Sequence, residues 1–290
     1  MTAPTTRLLS LGAGVQSSTL LLLAAQGDIP GFDAAIFADT SWEPVVVYRH
    51  LDRLMEVADE VGIEIVRVRS GDIRADALDP KHRFASMPLY TLGPNGERGM
   101  ARRQCTGEYK IKPIKVEVRR RLGYPHPARV PAGVRADIAI GISLDEIGRA
   151  RDADVAYMRN VFPLLDLGWR REDCLRYLHQ QGLGDTPRSS CVGCPFHADG
   201  FWLALRENSP TEWADAVAFD HAIRNGSARA NAAGHPLRGQ FFLHRQRVPL
   251  DEVVLRPRPQ PADTPGCGPW TCPHDAPNSA PTGTGRGEVA

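Results

Sequence analysis

Two cysteines separated by two residues form the sharpest chemical signal in the sequence, in the segment Cys191-Val-Gly-Cys194. A Cys-x-x-Cys turn directs two thiolates at one soft metal ion or one iron–sulfur cluster, and the glycine between them relieves the tight backbone. The spacing leaves three interpretations open, which are a [4Fe–4S] cluster, a structural Zn²⁺ site and a redox disulfide. His197 and His274 are candidates to complete a zinc site.

A glycine-rich loop carries the second chemical signal, in the segment Ser10-Leu-Gly-Ala-Gly-Val-Gln-Ser-Ser. It lies between a predicted strand and a predicted helix, where backbone N–H groups and the helix N-terminus attract an anion. The third glycine of the dinucleotide fingerprint and the lysine of the Walker A motif are both missing. A plain glycine turn with an N-cap serine is the structural alternative. The candidate nucleotide ligands here are Ser10, Gly12, Gly14, Gln16, Ser17 and Ser18.

Basic residues are concentrated in residues 98–121, although the whole chain has 35 Lys and Arg against 34 Asp and Glu, a net charge of +1. A local strip of this kind can neutralise the phosphates of ATP or of a sulfonucleotide, or dock a nucleic acid. Arg102, Arg103 and Lys110 flank Cys105 and are best placed for substrate phosphates. The other basic residues are typical of a solvated helix face.

The strands and helices that position these groups can be predicted from apolar runs and from helical spacing of apolar residues. The order strand, helix, strand, helix, strand within the first 70 residues or so predicts an α/β fold with right-handed crossovers and a parallel sheet. Residues 70–104 lack sustained periodicity and are expected to form a long active-site loop or lid. The predicted strands cover residues 7–11, 33–38, 63–68 and 138–142, and the predicted helices cover 17–25, 45–61, 109–122 and 169–181.

The amino-acid composition excludes several classes of protein. With 290 residues, of which 42% are hydrophobic and 24% charged, the chain is typical of a folded globular protein rather than of collagen, coiled coil or a disordered chain. We find neither an apolar run long enough for a membrane span nor a signal peptide, so a cytoplasmic location is expected. In that compartment paired cysteines indicate metal or redox chemistry more often than structural disulfides.

Five segments, in order, resemble motifs of the PAPS reductase-like family within the adenine-nucleotide alpha-hydrolase superfamily, which includes the PP-loop ATP pyrophosphatases. Together they span roughly residues 7–200. The segments are Ser10-x-Gly12-x-Gly14-x-Gln16-Ser17, Phe37-Ala-Asp39-Thr40, Cys105-Thr-Gly-Glu-Tyr-Lys110-Ile-Lys112-Pro113, Gly141-Ile-Ser-Leu-Asp145-Glu146-Ile-Gly-Arg149 and Phe162-Pro-Leu-Leu-Asp-Leu-Gly-Trp. In the segment that begins at Gly141, Ser143 replaces the first arginine of the family motif.

The resemblance implies a Rossmann-like domain with a parallel sheet and a small C-terminal helical subdomain that contains the Cys-x-x-Cys. On this basis residues 1–165 are expected to form the PP-loop nucleotide-binding domain and residues 166–255 the helical subdomain. Residues 256–290 are rich in proline and glycine, a composition that predicts a disordered tail.

The resemblance also assigns nucleotide-binding residues. Asp39 corresponds to the end of the second strand, next to the adenosine, where it is expected to orient the nucleotide or a Mg²⁺ ion; a helix cap is the alternative. Glu146 and Arg149 are expected to order the loop beside the nucleotide.

The resemblance further places Cys105 at the cluster position of the family, as the third ligand beside the Cys-x-x-Cys. Iron–sulfur adenylylsulfate reductases carry a Cys-Cys pair there, whereas Gln104 precedes the single cysteine of this chain. Cys174 is a candidate fourth ligand, with an ordinary buried cysteine as the alternative. Cys267 and Cys272 are further candidates if the tail folds back.

The function expected from the resemblance is iron–sulfur-dependent sulfur transfer, in which bound ATP adenylates an acceptor that is then thiolated. The acceptor classes left open are tRNA, DNA and a small molecule, with a cysteine desulfurase or a thioredoxin-like protein as donor. One alternative is a reductase that takes PAPS or APS, with Cys267 as nucleophile, and releases sulfite. The reductase motif Glu-Cys-Gly-x-His is incomplete around Cys267. A zinc-stabilised nucleotide or nucleic-acid binding module is the non-enzymatic alternative.

Overall fold

Five parallel strands form the central sheet of the computed structural model, which describes residues 6–82, 86–226 and 239–256. Their order across the sheet is β3-β2-β1-β6-β7. All four predicted strands are present, each within two residues of its predicted ends, and the predicted α/β class is confirmed. A fifth strand that the sequence patterns did not reveal closes one edge. The strands are β1 (Thr6–Leu11), β2 (Ala34–Asp39), β3 (Glu64–Arg69), β6 (Ala136–Ile140) and β7 (Met158–Val161).

Helices cover both faces of the sheet, which is why the central strands are apolar on both sides. The four predicted helices are present as α1 (Val15–Gln26), α2 (Val45–Glu60), α4 (Lys112–Arg121) and α6 (Arg171–Gln180), and the single turn α5 (Pro163–Asp166) precedes α6. Leu9 packs into the core on the face of α1, α2 and α6, whereas its neighbour Leu8 packs on the opposite face against Ile114 and Val118 of α4.

The segment 70–104 is not the irregular loop that its lack of periodicity indicated. It contains one short helix and two three-residue strands, and the first of these strands pairs antiparallel with a strand near residue 241. Strands this short give no periodic signal, and the pairing that stabilises them is long-range. The elements are α3 (Ile73–Leu78), β4 (Tyr90–Leu92), β5 (Arg98–Met100) and β8 (Gln240–Phe242).

A second apolar core joins this segment to the C-terminal helices α7 (Asp199–Asn208) and α8 (Pro210–Ala222). Trp202 and Phe219 pack there with Leu89, and all three side chains are fully buried. Helix α6, by contrast, packs on α1 in the first core. The domain division at residues 165–166 stays a prediction, and the tail beyond Arg256 lies outside the described residues. Among the described helices, none is both long and apolar enough to cross a membrane.

Candidate nucleotide and cysteine site

The loop of residues 10–18, here called the phosphate loop, turns tightly at the carboxyl end of β1. The backbone N–H groups of Gly12 and Gly14 donate to Ser17 Oγ at 3.1 and 3.4 Å. A Cβ atom on Gly12 would lie 3.2 Å from Ser189 Oγ, and one on Gly14 would lie 3.0 Å from Ser189 Cβ. The segment around Ser189 thus crosses the loop so closely that both positions favour glycine.

The serines of the phosphate loop differ in their surroundings. Ser10 Oγ is buried and has no hydrogen-bond partner among the described residues, which leaves it available to a ligand. Ser18 is fully buried and its Oγ lies 2.9 Å from His50 Nε2, in the helix layer. Ser18 is therefore engaged inside the fold.

Gln16 connects the phosphate loop to the segment 141–149. Its Nε2 donates to Glu146 at 3.1 Å, and Arg171 donates to its Oε1 at 2.9 Å. Glu146 also pairs with Arg149. Burial raises the pKa of Glu146, against the lowering effect of Arg149. A Cβ atom on Gly141 would lie 2.8 Å from a backbone nitrogen of α1, so the two segments are in direct contact.

Both carboxylate oxygens of Asp39 are engaged inside the fold. Oδ1 accepts from the Ser41 N–H and the Tyr48 hydroxyl, and Oδ2 accepts from Arg69, each at 2.8 Å. Burial acts to raise the pKa of Asp39, but these three donors outweigh it and hold the pKa below its ordinary value. The geometry thus gives Asp39 a structural role. A second buried carboxylate, Glu43, was not singled out from the sequence, and its Oε1 lies 3.5 Å from Cys191 Sγ.

Three of the cysteines singled out from the sequence line one cavity, here called the cysteine cavity. These are Cys105, Cys191 and Cys194, and Arg103 and Lys110 line the same cavity. Three soft thiol donors beside two cations have the ligand chemistry of an anionic iron–sulfur centre. As they stand, however, the three thiols are not arranged to hold a metal ion, and neither is any other group of three or more His, Cys, Asp or Glu side chains in the described part of the chain.

The turn that carries Cys191 and Cys194 is fixed by backbone contacts. The Cys194 N–H donates to the carbonyl of Cys191 at 3.1 Å. A Cβ atom on Gly193 would lie 2.0 Å from the ring of Trp42, so only glycine fits between the two cysteines. His197 is buried with its Nε2 bonded to the carbonyl of Cys191 at 2.8 Å. Burial lowers the pKa of His197 to about 3, which keeps the ring neutral.

Cys105 and Lys110 reach the cavity from a single turn of π-helix, Thr106–Ile111, which leads directly into α4. A π-turn inserts one extra residue per turn and often marks a functional site. The Cys105 N–H donates to the carbonyl of Ser86 at 2.9 Å, which fixes the start of the turn. Lys110 is buried, and its Nζ lies 3.5 Å from Glu43 Oε1.

A second cavity adjoins the first and is here called the phosphate cavity. Gly12 and Ser189 line it from the phosphate loop and from the segment that crosses the loop. Glu43 and Lys110 line it as well, and Lys110 also lines the cysteine cavity. The buried ammonium group of Lys110 therefore borders both the phosphate cavity, where an anion is expected, and the cysteine cavity.

The remaining candidate ligands are not brought to the cysteine cavity. Cys174 is fully buried in the first core, where burial raises the pKa of its thiol to about 12, partly offset by a hydrogen bond with Thr19. Cys267, Cys272 and His274 lie outside the described residues. The structure thus gathers three of the four cysteines that it describes.

Two solved structures are similar to the chain. A PAPS reductase from Candida auris, in a phosphate complex, is 12% identical with a TM-score of 0.38, and the match covers 65% of this chain and 81% of that one. The U34-tRNA thiolase NcsA from Methanococcus maripaludis, with its [4Fe-4S] cluster, is 13% identical with a TM-score of 0.40, over 76% and 72%. No protein-family model and no curated protein matches the chain.

These two enzymes are of the kind that the sequence motifs resemble. Likenesses this distant carry no argument about substrate, cofactor or mechanism. Those questions rest on the residues of the two adjoining cavities.

Proposed function

We propose that the chain is a PAPS reductase-like PP-loop enzyme that binds ATP and carries out iron–sulfur-dependent sulfur transfer. The observation that carries this proposal is the position of Lys110, which lines both the phosphate cavity and the cysteine cavity. A nucleotide bound in the phosphate cavity would lie next to the thiols that line the cysteine cavity. The activated acceptor would then not have to move far between its adenylation and the delivery of sulfur.

The phosphate cavity has the groups that the activation step needs. An acceptor oxygen attacks the α-phosphorus of ATP, the α–β phosphoanhydride bond breaks, and pyrophosphate leaves with the bonding electron pair. Negative charge grows on the leaving pyrophosphate, next to the backbone at Gly12 and the ammonium group of Lys110. Fixed donors and a cation in a dry cavity stabilise such charge far more than they would in water.

Cys105, Cys191 and Cys194 are the residues that would hold a [4Fe–4S] cluster. When bound, such a cluster supplies a soft iron site for sulfur chemistry. The protein itself fixes the Cys-x-x-Cys turn through Gly193 and Trp42, and burial keeps His197 neutral beside it.

Thiolation completes the reaction. Hydrosulfide attacks the acceptor carbon that bears the adenylated oxygen. A carbon–sulfur bond forms, the carbon–oxygen bond breaks, and AMP leaves with the electron pair. No net oxidation or reduction occurs, so the cycle consumes only ATP and hydrosulfide for each acceptor.

The test compares the two products that separate sulfur transfer from sulfonucleotide reduction. Anaerobic protein is incubated with sodium sulfide, with dithiothreitol as reductant and with ATP, APS or PAPS, in the presence of bulk tRNA or plasmid DNA. We expect pyrophosphate from ATP and no sulfite from either sulfonucleotide. Sulfite from PAPS or APS without pyrophosphate from ATP would replace the proposal with a reductase. Binding of nucleotide without any turnover, together with stoichiometric zinc, would instead favour a binding module.

A further inference from the structure

Glu43 places a buried carboxylate in the phosphate cavity with only one of its oxygens engaged. Its Oε1 accepts from Thr40 Oγ1 at 3.1 Å and from Cys191 Sγ at 3.5 Å, and Lys110 Nζ lies 3.5 Å from the same oxygen. Its Oε2 is buried and has no hydrogen-bond partner among the described residues. The side chain of Glu43 is only 2% exposed, so bulk water does not complete its solvation.

This arrangement is unfavourable for a bare anion. A carboxylate removed from water needs charged or hydrogen-bonding partners on both oxygens, and an unsatisfied oxygen carries a free-energy cost. Phosphate oxygens that enter the same cavity, beside Gly12, would meet the negative charge of Glu43 as well as the positive charge of Lys110. A divalent cation between the carboxylate and the phosphates satisfies both groups.

We propose that Glu43 binds, through Oε2, the Mg²⁺ ion that enters with the phosphates of a nucleoside triphosphate. This inference rests on the proposed function and specifies its substrate as a metal–nucleotide complex. Mg²⁺ keeps several waters and is held by one or two carboxylates together with substrate phosphates, so one buried carboxylate is sufficient. Asp39, the residue expected from the sequence, has both oxygens bonded to protein donors.

The experiment measures ATP affinity by calorimetry with excess Mg²⁺ and with EDTA, in the wild type, Glu43→Gln and the matched control Asp39→Asn. Both changes keep the size of the side chain, and thermal unfolding verifies that each variant is folded. We expect Mg²⁺ to tighten ATP binding by about tenfold or more in the wild type and in Asp39→Asn, and to have no effect in Glu43→Gln.

A second readout follows the metal directly, with Mn²⁺ as the probe. We expect the electron paramagnetic resonance spectrum of Mn²⁺–ATP to change on binding to the wild type, and the protein-dependent change to be lost in Glu43→Gln. Equal ATP binding with and without Mg²⁺ in the wild type, or an unchanged Mg²⁺ effect in Glu43→Gln, would overturn the role of Glu43 alone. Absence of ATP binding to folded wild type under both conditions would overturn the proposed function as well.

Discussion

Lys110 lies 3.5 Å from Glu43, and this buried ion pair stands between the phosphate cavity and the cysteine cavity. The two side chains come from separate segments, since Lys110 belongs to the π-turn before α4 and Glu43 to the turn after β2. Both are almost completely shielded from water. A buried pair of this kind is costly unless other groups complete it, which is why we assign it to the binding of a charged substrate.

The first prediction concerns the charge of Lys110. Replacing it in Lys110→Met removes the cation that lines the phosphate cavity while keeping a long apolar side chain. We expect ATP affinity to fall by about tenfold or more, because a charge-assisted contact to phosphate contributes about 1.5–3 kcal/mol. Equilibrium binding measured by calorimetry checks this.

Lys112→Met is the matched control, because Lys112 lies two residues further on, is exposed and is absent from the lining of both cavities. We expect its ATP affinity to stay within about twofold of the wild type. An equal loss in both variants would mean that the general charge of the basic strip, rather than Lys110, holds the nucleotide.

The second prediction concerns the glycine inside the Cys-x-x-Cys turn. A methyl group at Gly193 would lie 2.0 Å from the ring of Trp42, so Gly193→Ala must displace that ring or the turn. We expect the free energy of unfolding to fall by about 1–3 kcal/mol, the usual cost of overpacking. Urea denaturation measures this change.

Gly200 provides the comparison for Gly193, since a Cβ atom there would meet nothing within 4 Å and the residue lies in helix α7. Gly200→Ala is expected to stabilise the protein by up to about 1 kcal/mol. Equal stability of the two variants would show that the contact between the turn and Trp42 is not tight.

The third prediction concerns the pH dependence of stability through His50. Burial lowers the pKa of His50 to about 4, with Arg53 acting in the same direction, so the folded protein keeps this ring neutral. The unfolded chain binds a proton near pH 6.5. The stability contribution is therefore fully present above pH 6.5 and is lost as the pH falls toward 4.

His50→Gln keeps a hydrogen-bonding side chain near Ser18 and removes the titration. Between pH 7 and pH 5 we expect the free energy of unfolding of the wild type to fall by about 2 kcal/mol more than that of His50→Gln. Parallel denaturant titrations at the two pH values check the difference. A constant gap between the two proteins across this range would mean that His50 is protonated in the fold.

Periodicity and β-branching were sufficient to predict four strands of the central sheet and the helices around it, because buried parallel strands are apolar over their whole length. Strand β7 was missed because Arg159 and Asn160 interrupt its apolar pattern. Arg159 forms an ion pair with Asp137 on the neighbouring strand, and Asn160 is buried with its Nδ2 donating to a backbone carbonyl. Both compensations depend on neighbours far away in the sequence.

In the candidate site, too, some residues could be identified from local sequence motifs and others only from contacts that form on folding. Motifs in the sequence singled out Gly12, which lines the phosphate cavity, and the three cysteines that line the cysteine cavity. They did not identify Glu43, because its partners Lys110 and Cys191 approach it only after folding. Conversely, Asp39 matched a family motif, yet its oxygens are bonded to Ser41, Tyr48 and Arg69.

The content of iron and acid-labile sulfide per chain, measured after anaerobic purification, tests the central claim most directly. We predict about four of each, with absorbance near 400 nm, in the wild type and in the control Cys174→Ala, whose thiol lies in the apolar core. Cys105→Ala, Cys191→Ala and Cys194→Ala are each expected to lose most of the iron. Iron that is unaffected by these three substitutions, or stoichiometric zinc in its place, would contradict the account.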